Sequence, residues 1–324
     1  MKQQLYDIYG QIRQTIQPLH PKKQSERTKA FLALGVVSFF WGTTWLASKI
    51  GVRNMPGLQL AGIRQLLGGG IYTLFFLVQG YKWPNRKQLV QFIWMSILMF
   101  VISNGFSTWS LQYIPSGLGA VIGAMAPLWI ALFSVLFFRE SRLNITAIFG
   151  LVLGFGGIVI IFSDYLEALF QSSFILGVIL GIIATMTWAL GTLYTVQHAK
   201  DLNAYYSLGW QMLLSGVILT GIAWGSGDAI PLSETTPETW YAITYLVIIG
   251  SIITFAAFIY CLKRLPPAQS SVYAYINPIV AVLIGAILNN EKLNLIIAIG
   301  TAVTILGVYL VNTGFKRSSI EKES

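Results

Sequence analysis

Residues 111–140 read LQYIPSGLGAVIGAMAPLWIALFSVLFFRE, and residues 262–291 read LKRLPPAQSSVYAYINPIVAVLIGAILNNE. Aligned without a gap, Pro115 meets Pro266, Val121 meets Val272, Pro127 meets Pro278 and Glu140 meets Glu291. Leu pairs coincide by chance in any apolar chain; Pro, Pro and Glu at one offset do not. The register continues through Ala147 with Ala298 and Gly156 with Gly307. At a slightly shorter offset Trp41 meets Trp188, Leu46 meets Leu193, Gly62 meets Gly209 and Gly69 meets Gly216. The offset changes within the longer connection GSGDAIPLSETTPE, 225–238. The chain is two copies of one unit.

Both copies are built from membrane-spanning material. Of the 324 residues, 55% are hydrophobic and 10% charged, and mean hydropathy is +0.67. Roughly 20 apolar residues cross a hydrocarbon core of about 30 Å. About ten blocks meet that criterion, near 30–50, 58–79, 88–108, 116–138, 145–163, 174–198, 204–225, 240–262, 268–289 and 295–314. They are too long and too continuous for barrel strands. The expected fold is an all-α polytopic membrane protein of ten transmembrane helices. Its expected units are residues 30–163 and 174–314, between a segment 1–29 and a tail 315–324. Five helices per unit is an odd number, so the second copy enters the membrane from the opposite side. A five-plus-five inverted repeat is a secondary-transporter architecture.

Charge sets the orientation. With the N-terminus inside, nearly all of the 21 Lys and Arg residues fall on the cytoplasmic side. Only Lys49, Arg53 and Lys292 fall outside, and Arg64 lies within a span. This bias places both termini in the cytoplasm of a multi-pass plasma-membrane protein. The net charge of +9 is thereby a topology and lipid-surface signal and gives no nucleic-acid partner. The block after residue 29 reads as an uncleaved anchor. Within 1–29, Leu5, Ile8, Tyr9, Ile12 and Ile16 have the spacing of an amphipathic helix lying on the membrane, with disorder as the alternative.

The motifs resemble those of EamA-type drug/metabolite transporters. The resemblance rests on SFFWGTTWLASKIG (38–51), Arg64, and the two small-residue-rich helices with a mid-helix Pro and a terminal Glu quoted above. It covers essentially the whole chain from Ala30 to Gly314. It implies ten helices in a five-plus-five arrangement and export of amino acids, other metabolites or drugs.

The candidate site follows from matched positions. Pro127 and Pro278 each remove an N–H and crowd the carbonyl four residues back. Breaks at equivalent depths in two halves point to a transporter's binding site. Trp41 and Trp188 form a second matched pair near mid-membrane, away from the interfacial aromatic belts. Thr44, Trp45 and Tyr194 follow on the same two helices. Asn104 and Tyr113 on the third helix, with Tyr275 and Asn277 on the ninth, add polar and aromatic surface. Such a pocket suits a small amphipathic organic solute rather than a bare ion. Arg64 has two readings. It snorkels to the outer interface and bonds a helix-end carbonyl, or, with Lys49, it draws an anionic group into an outer vestibule. Glu140 and Glu291 are expected to stabilise the N-terminus of the helix that follows each of them. Gly119 with Gly123, Gly150 with Gly154, and Gly177 with Gly181 are expected to be close-packing pairs.

Other classes find less support. Cys261 is the one cysteine, and His20 and His198 belong to no ligand cluster, so neither a metal nor another cofactor is expected. A membrane-embedded enzyme needs a nucleophile–base pair or a metal at depth, and a channel needs a polar stripe or charged ring. No span has a central carboxylate, which favours an exchanger or facilitator over ordinary proton coupling. No phosphate-binding loop is present for ATP. Self-association stays open.

Overall fold

The computed structural model describes residues 21–138, 144–199, 202–265 and 267–323; side chains are described within these except at 21–25, 138, 267–268 and 315–323. The expected amphipathic stretch before Pro21, Glu140 and Pro266 lie outside the described residues. Among the described residues all regular structure is helical.

The helices are α1 (Pro21–Gly51), α2 (Gly57–Val78), α3 (Arg86–Ser110), α4a (Ser116–Gly123), α4b (Ala126–Phe138), α5 (Ile145–Ser163), α6 (Ser172–His198), α7 (Ala204–Gly225), α8 (Pro237–Leu262), α9 (Tyr273–Asn289) and α10 (Leu295–Glu323). Nine described stretches are long and apolar enough to cross a membrane, and α9 is a shorter apolar helix of 17 residues. Start signals are local. Asn85 makes a reciprocal capping box with Gln88, and the side chains of Asn144, Asn203 and Thr236 accept from the first turns of α5, α7 and α8. Each such cap contributes about 1 kcal/mol. Asn290, in the left-handed region at φ 51°, ends α9.

The helices pair in a pattern that survives exchange of the two halves. α2 packs on α7 and α5 on α10; α1 packs on α8 and α9, as α6 packs on α3 and α4. Apolar association between helices gains little in lipid, so close backbone approach carries the packing. A Cβ on Gly307 would lie 2.2 Å from Gly154 N, and one on Gly69 would lie 2.2 Å from Leu213 N. Only glycine permits these two crossings.

Polar contacts define two ends of the bundle. At one, Lys49 near the end of α1 donates to Leu111 O and Ile114 O just past α3. At the other, Gln91 near the start of α3 donates to His198 O at the end of α6. The matched helices α1 and α6 therefore run in opposite directions. α5 and α10 exchange equivalent contacts: Asn144 caps α5 and donates to Gly314 O, while Asn294 caps α10 and donates to Asp164 Oδ1.

Three local features differ from expectation. Glu291 does not serve the helix after it. Its carboxylate accepts from Ser116 N at 2.9 Å, Ser116 Oγ at 2.7 Å and Gly117 N at 3.0 Å, which caps α4a in the other half. Asn294, three residues on, occupies the cap of α10 instead. Pro278 lies inside the continuous α9, and the interruption falls earlier, between the turn Pro267–Ser270 and Tyr273. Pro127 does sit at a break, as the second residue of α4b. A proline is tolerated in a helix's first turn, where its missing N–H has no partner to lose. Finally, α3 and α8 each contain a π-helical segment, Ile97–Asn104 and Leu246–Ile253. Their sequences, ILMFVISN and LVIIGSII, carry no apolar-periodicity signal that separates π from α winding.

Candidate functional site

A cavity of about 200 Å³ lies between the halves. Its wall draws on α1, α2, α3, both parts of α4, α6, α8 and α9. Of the residues singled out from sequence, Trp41, Thr44, Trp45, Arg64, Asn104, Pro127, Trp188, Asn277 and Pro278 all line it. Tyr113, Tyr194 and Tyr275 do not. Tyr113 packs where a Cβ on Gly177 would meet it at 2.8 Å. Tyr194 stacks on His198 with centroids 4.2 Å apart, and the Tyr275 hydroxyl accepts from Asn312. Tyr194 and Tyr275 lie on the expected helices, although helical spacing could not say which way each faces, whereas Tyr113, expected on the third helix, falls in the turn after α3 ends at Ser110.

The aromatic wall is built by packing. Trp41 meets Phe255, Phe258 and Tyr273 at centroid distances of 5.1, 4.8 and 5.3 Å. Trp45 packs against α4a. A Cβ on Gly123 would reach its ring at 2.7 Å and one on Gly119 at 3.1 Å. These two glycines, expected to be helix-packing residues, instead seat an indole beside the cavity. The Gly150–Gly154 pair does pack helix on helix.

The polar wall is asymmetric. Thr44, Thr108 and Thr185 donate their hydroxyl protons to carbonyls of their own helices, at 2.7, 2.8 and 3.0 Å. Each therefore turns lone pairs, not a proton, toward other partners. Asn104 Oδ1 accepts from Gln65 Nε2 at 2.9 Å, and Asn277 Oδ1 has no partner among the described residues. No Asp, Glu or His is among the lining residues.

Arg64 is the cation of the cavity. It is 6% exposed, enclosed by the neighbouring helices. Its Nε donates to Ser251 Oγ at 3.0 Å, a side-chain hydroxyl rather than a helix-end carbonyl. Lys49 is the residue bonded to helix-end carbonyls, and it is not in the cavity wall. The repeat mate of Arg64, Gln211, donates to Ser207 Oγ at 2.7 Å on its own helix. The charge is thus present once, on one side. Among the described residues no carboxylate pairs with it. Arg within a span is costly, up to about 2.5–3.5 kcal/mol at the centre of a helix on insertion scales. One neutral hydrogen-bond acceptor offsets part of that cost, and an anionic guest would offset more.

Sequence reasoning did not single out Ser48, Ser103, Ser107, Thr185 or Phe255, which also line the cavity. Small hydroxyl residues in apolar helices carry no distinguishing pattern. Phe255 follows the π segment of α8, whose wider turn re-aims the residues after it.

Comparison with known proteins agrees with this architecture. The EamA-like transporter family model matches residues 28–163 and again 175–313. The chain is 32% identical over 285 residues to the uncharacterized inner membrane transporter YedA of Escherichia coli K12, covering 88% of this chain and 90% of that one. It is 23% identical to the uncharacterized transporter YoaV of Bacillus subtilis, covering 90% and 99% of the two chains. It is 26% identical to the chloroplastic WAT1-related protein At3g02690 of Arabidopsis thaliana, covering 85% and 67%. A solved crystal structure shares the fold at a TM-score of 0.62 and 19% identity, over 90% of this chain and 98% of that one. With its family model matched twice along a multi-pass helical chain, the protein belongs to the EamA-like family of membrane transporters.

Proposed function

We propose that this transporter is a secondary carrier that exports small organic solutes with an anionic group, such as amino acids or drug-like amphipathic compounds, across the plasma membrane. α9 is the tenth span, and residues 30–163 and 174–314 are two inverted five-helix units. Their rocking about the shared cavity opens it alternately to each side. Orientation follows the basic residues, with both termini cytoplasmic, and the inner-membrane naming of YedA is in keeping with this location.

The observation that carries the substrate reading is Arg64, a buried guanidinium on the wall of an indole-lined cavity with no carboxylate partner among the described residues. A planar fork holds a carboxylate through two parallel hydrogen bonds, and a lysine ammonium cannot copy that geometry. The indole faces of Trp41, Trp45 and Trp188 supply area for an apolar body or a contact for an amine cation. With no carboxylate or His among the described residues of the cavity wall, exchange or facilitated movement fits better than an ordinary proton relay.

The test is counterflow in proteoliposomes with Arg64→Lys, using carboxylates and their matching carboxamides. Wild type should prefer carboxylates, and Arg64→Lys should lose roughly 10-fold or more of that preference, the size of a lost charge-assisted bond. Equal handling of acid and amide by both proteins would remove anion recognition. Flux that rises linearly with solute, with no trans-acceleration, would mark a channel instead.

A further inference from the structure

Two consecutive residues of α2 are held by the two π segments. Gln65 Nε2 donates to Asn104, the last residue of the α3 segment, at 2.9 Å. Arg64 Nε donates to Ser251, within the α8 segment, at 3.0 Å. Ser251 is fully buried and is not itself part of the cavity wall.

The α8 segment is built to place that hydroxyl. Its displaced backbone groups are satisfied from the side: Thr254 Oγ1 donates to Ile249 O at 2.7 Å, five residues back, and Tyr72 Oη of α2 donates to Ile252 O at 2.8 Å. Gly68, one turn beyond Arg64, gives Ser251 room; a Cβ there would lie 3.0 Å from Ser251 Cβ. Gly250 gives the guanidinium room. A Cβ there would lie 2.9 Å from Thr44 Cγ2 and 3.1 Å from Arg64 Nη2.

This fixes which part of Arg64 can meet a solute. A guanidinium binds a carboxylate either side-on through Nε and one Nη, or end-on through both Nη atoms. Ser251 occupies Nε, and no described residue accepts from either Nη. We infer that Ser251 is the positioning residue for Arg64: it closes the side-on edge and orients the two Nη groups to take a carboxylate end-on, so the π segment of α8 sets the selectivity for acids over neutral solutes. This rests on the anion-carrying reading above and adds to it a residue and a binding geometry. A rigidly oriented donor pair loses less freedom on binding than a swinging one.

The experiment is counterflow and equilibrium binding in proteoliposomes, with carboxylate–carboxamide pairs spanning aliphatic and aromatic solutes. Ser251→Ala, Ser251→Thr, Gly250→Ala and Arg64→Lys are compared at matched amounts of folded protein. Ser251→Ala should raise KM for carboxylates roughly 10-fold while kcat and carboxamide transport stay near wild type. Ser251→Thr keeps the acceptor oxygen and should restore KM. Gly250→Ala, which crowds Nη2 and leaves Ser251 intact, should also raise KM for carboxylates selectively. Unchanged carboxylate KM in Ser251→Ala, beside a selective loss in Arg64→Lys, overturns the positioning role and leaves anion recognition standing. Equal loss for acids and amides in Ser251→Ala makes it a packing residue and overturns the role as well. If wild type itself prefers no acid over its amide, the anion reading falls and the positioning role with it. If Ser251→Ala does not fold, Gly250→Ala and Ser251→Thr decide: a wild-type acid preference in Gly250→Ala, or its loss in Ser251→Thr, overturns the proposal.

Discussion

The Glu291 carboxylate sits over the first turn of α4a, 2.9 Å from Ser116 N, so the connection before α10 closes onto a helix of the opposite half. Around it, Asn289 Nδ2 donates to Glu291 Oε1 at 2.9 Å, and Arg53 bonds both Asn289 and Glu238. Lys292 pairs with Asp164 at 2.9 Å. First-half and second-half connections are thus tied together at this end of the bundle. A carboxylate suits the place because free N–H groups and the helix dipole both favour negative charge there. Replacing it with a neutral amide, Glu291→Gln, weakens several charge-assisted bonds at once. The expected result is roughly 5–10-fold more frequent opening of this end. It is read as faster thiol labelling of a cysteine placed at Ser48, on the cavity wall, with Cys261 changed to Ala. Labelling at the wild-type rate would show that this contact does not limit opening.

Orientation has its own measurement. Ser233 is exposed, in the 226–236 connection. With Cys261 replaced by Ala, Ser233→Cys should react with an impermeant thiol reagent in intact cells, and Ser25→Cys should react only after the cells are opened. The reverse pattern would turn the protein over in the membrane.

Gly307 and Gly156 are sequence mates with opposite surroundings. A Cβ on Gly307 would lie 2.2 Å from Gly154 N, against backbone that cannot move aside, whereas nothing lies within 4 Å of one on Gly156. Gly307→Ala should therefore separate α5 from α10 and destabilise by about 1–3 kcal/mol, the usual range for overpacking. Gly156→Ala should be neutral or slightly stabilising, since alanine favours a helix. Thermal unfolding in detergent distinguishes them, and similar midpoints for both variants would contradict the packing described.

The connection after α5 carries an acid-sensitive contact. The bond from Lys292 holds the Asp164 carboxyl below its ordinary range, with Asn294 adding a second donor. A carboxyl depressed in the folded state contributes stability at pH above its unfolded value of about 3.9. That contribution is lost as pH falls through the lower folded value. Stability of the α5–α10 pair should thus decline below about pH 4, and Asp164→Asn should remove that part of the decline. An Asp164→Asn protein with the wild-type acid profile would assign the sensitivity elsewhere.

How much was legible from sequence depends on the residue. Trp41 and Trp188, Pro127 and Pro278 could be paired because large or conformationally restricted residues stand out at a common offset, and all four line one cavity. Tyr194 and Tyr275 look equally suited on paper but do not line the cavity, since a helix carries its side chains all round and spacing alone does not fix its rotation; Tyr113 misses it because α3 ends three residues earlier. Glu291 was visible as a helix-end carboxylate, yet its partner lies across the chain at Ser116.

The sequence by itself determined the class of the protein, its double repeat and its membrane character. Those rest on length, hydropathy and the recurrence of Pro, Gly and Trp, all of which are local or periodic. Only the tertiary structure decided what Arg64 does. Within its own helix it reads as a costly charge near an interface, free to snorkel. Its bond to Ser251 comes from α8 and from the π winding that brings Ser251 to Arg64; its burial comes from the helices packed around it, and among the described residues no carboxylate pairs with it. A contact between residues so far apart in the chain depends on how helices pack and rotate, and neither is encoded in the apolar pattern of α2 alone.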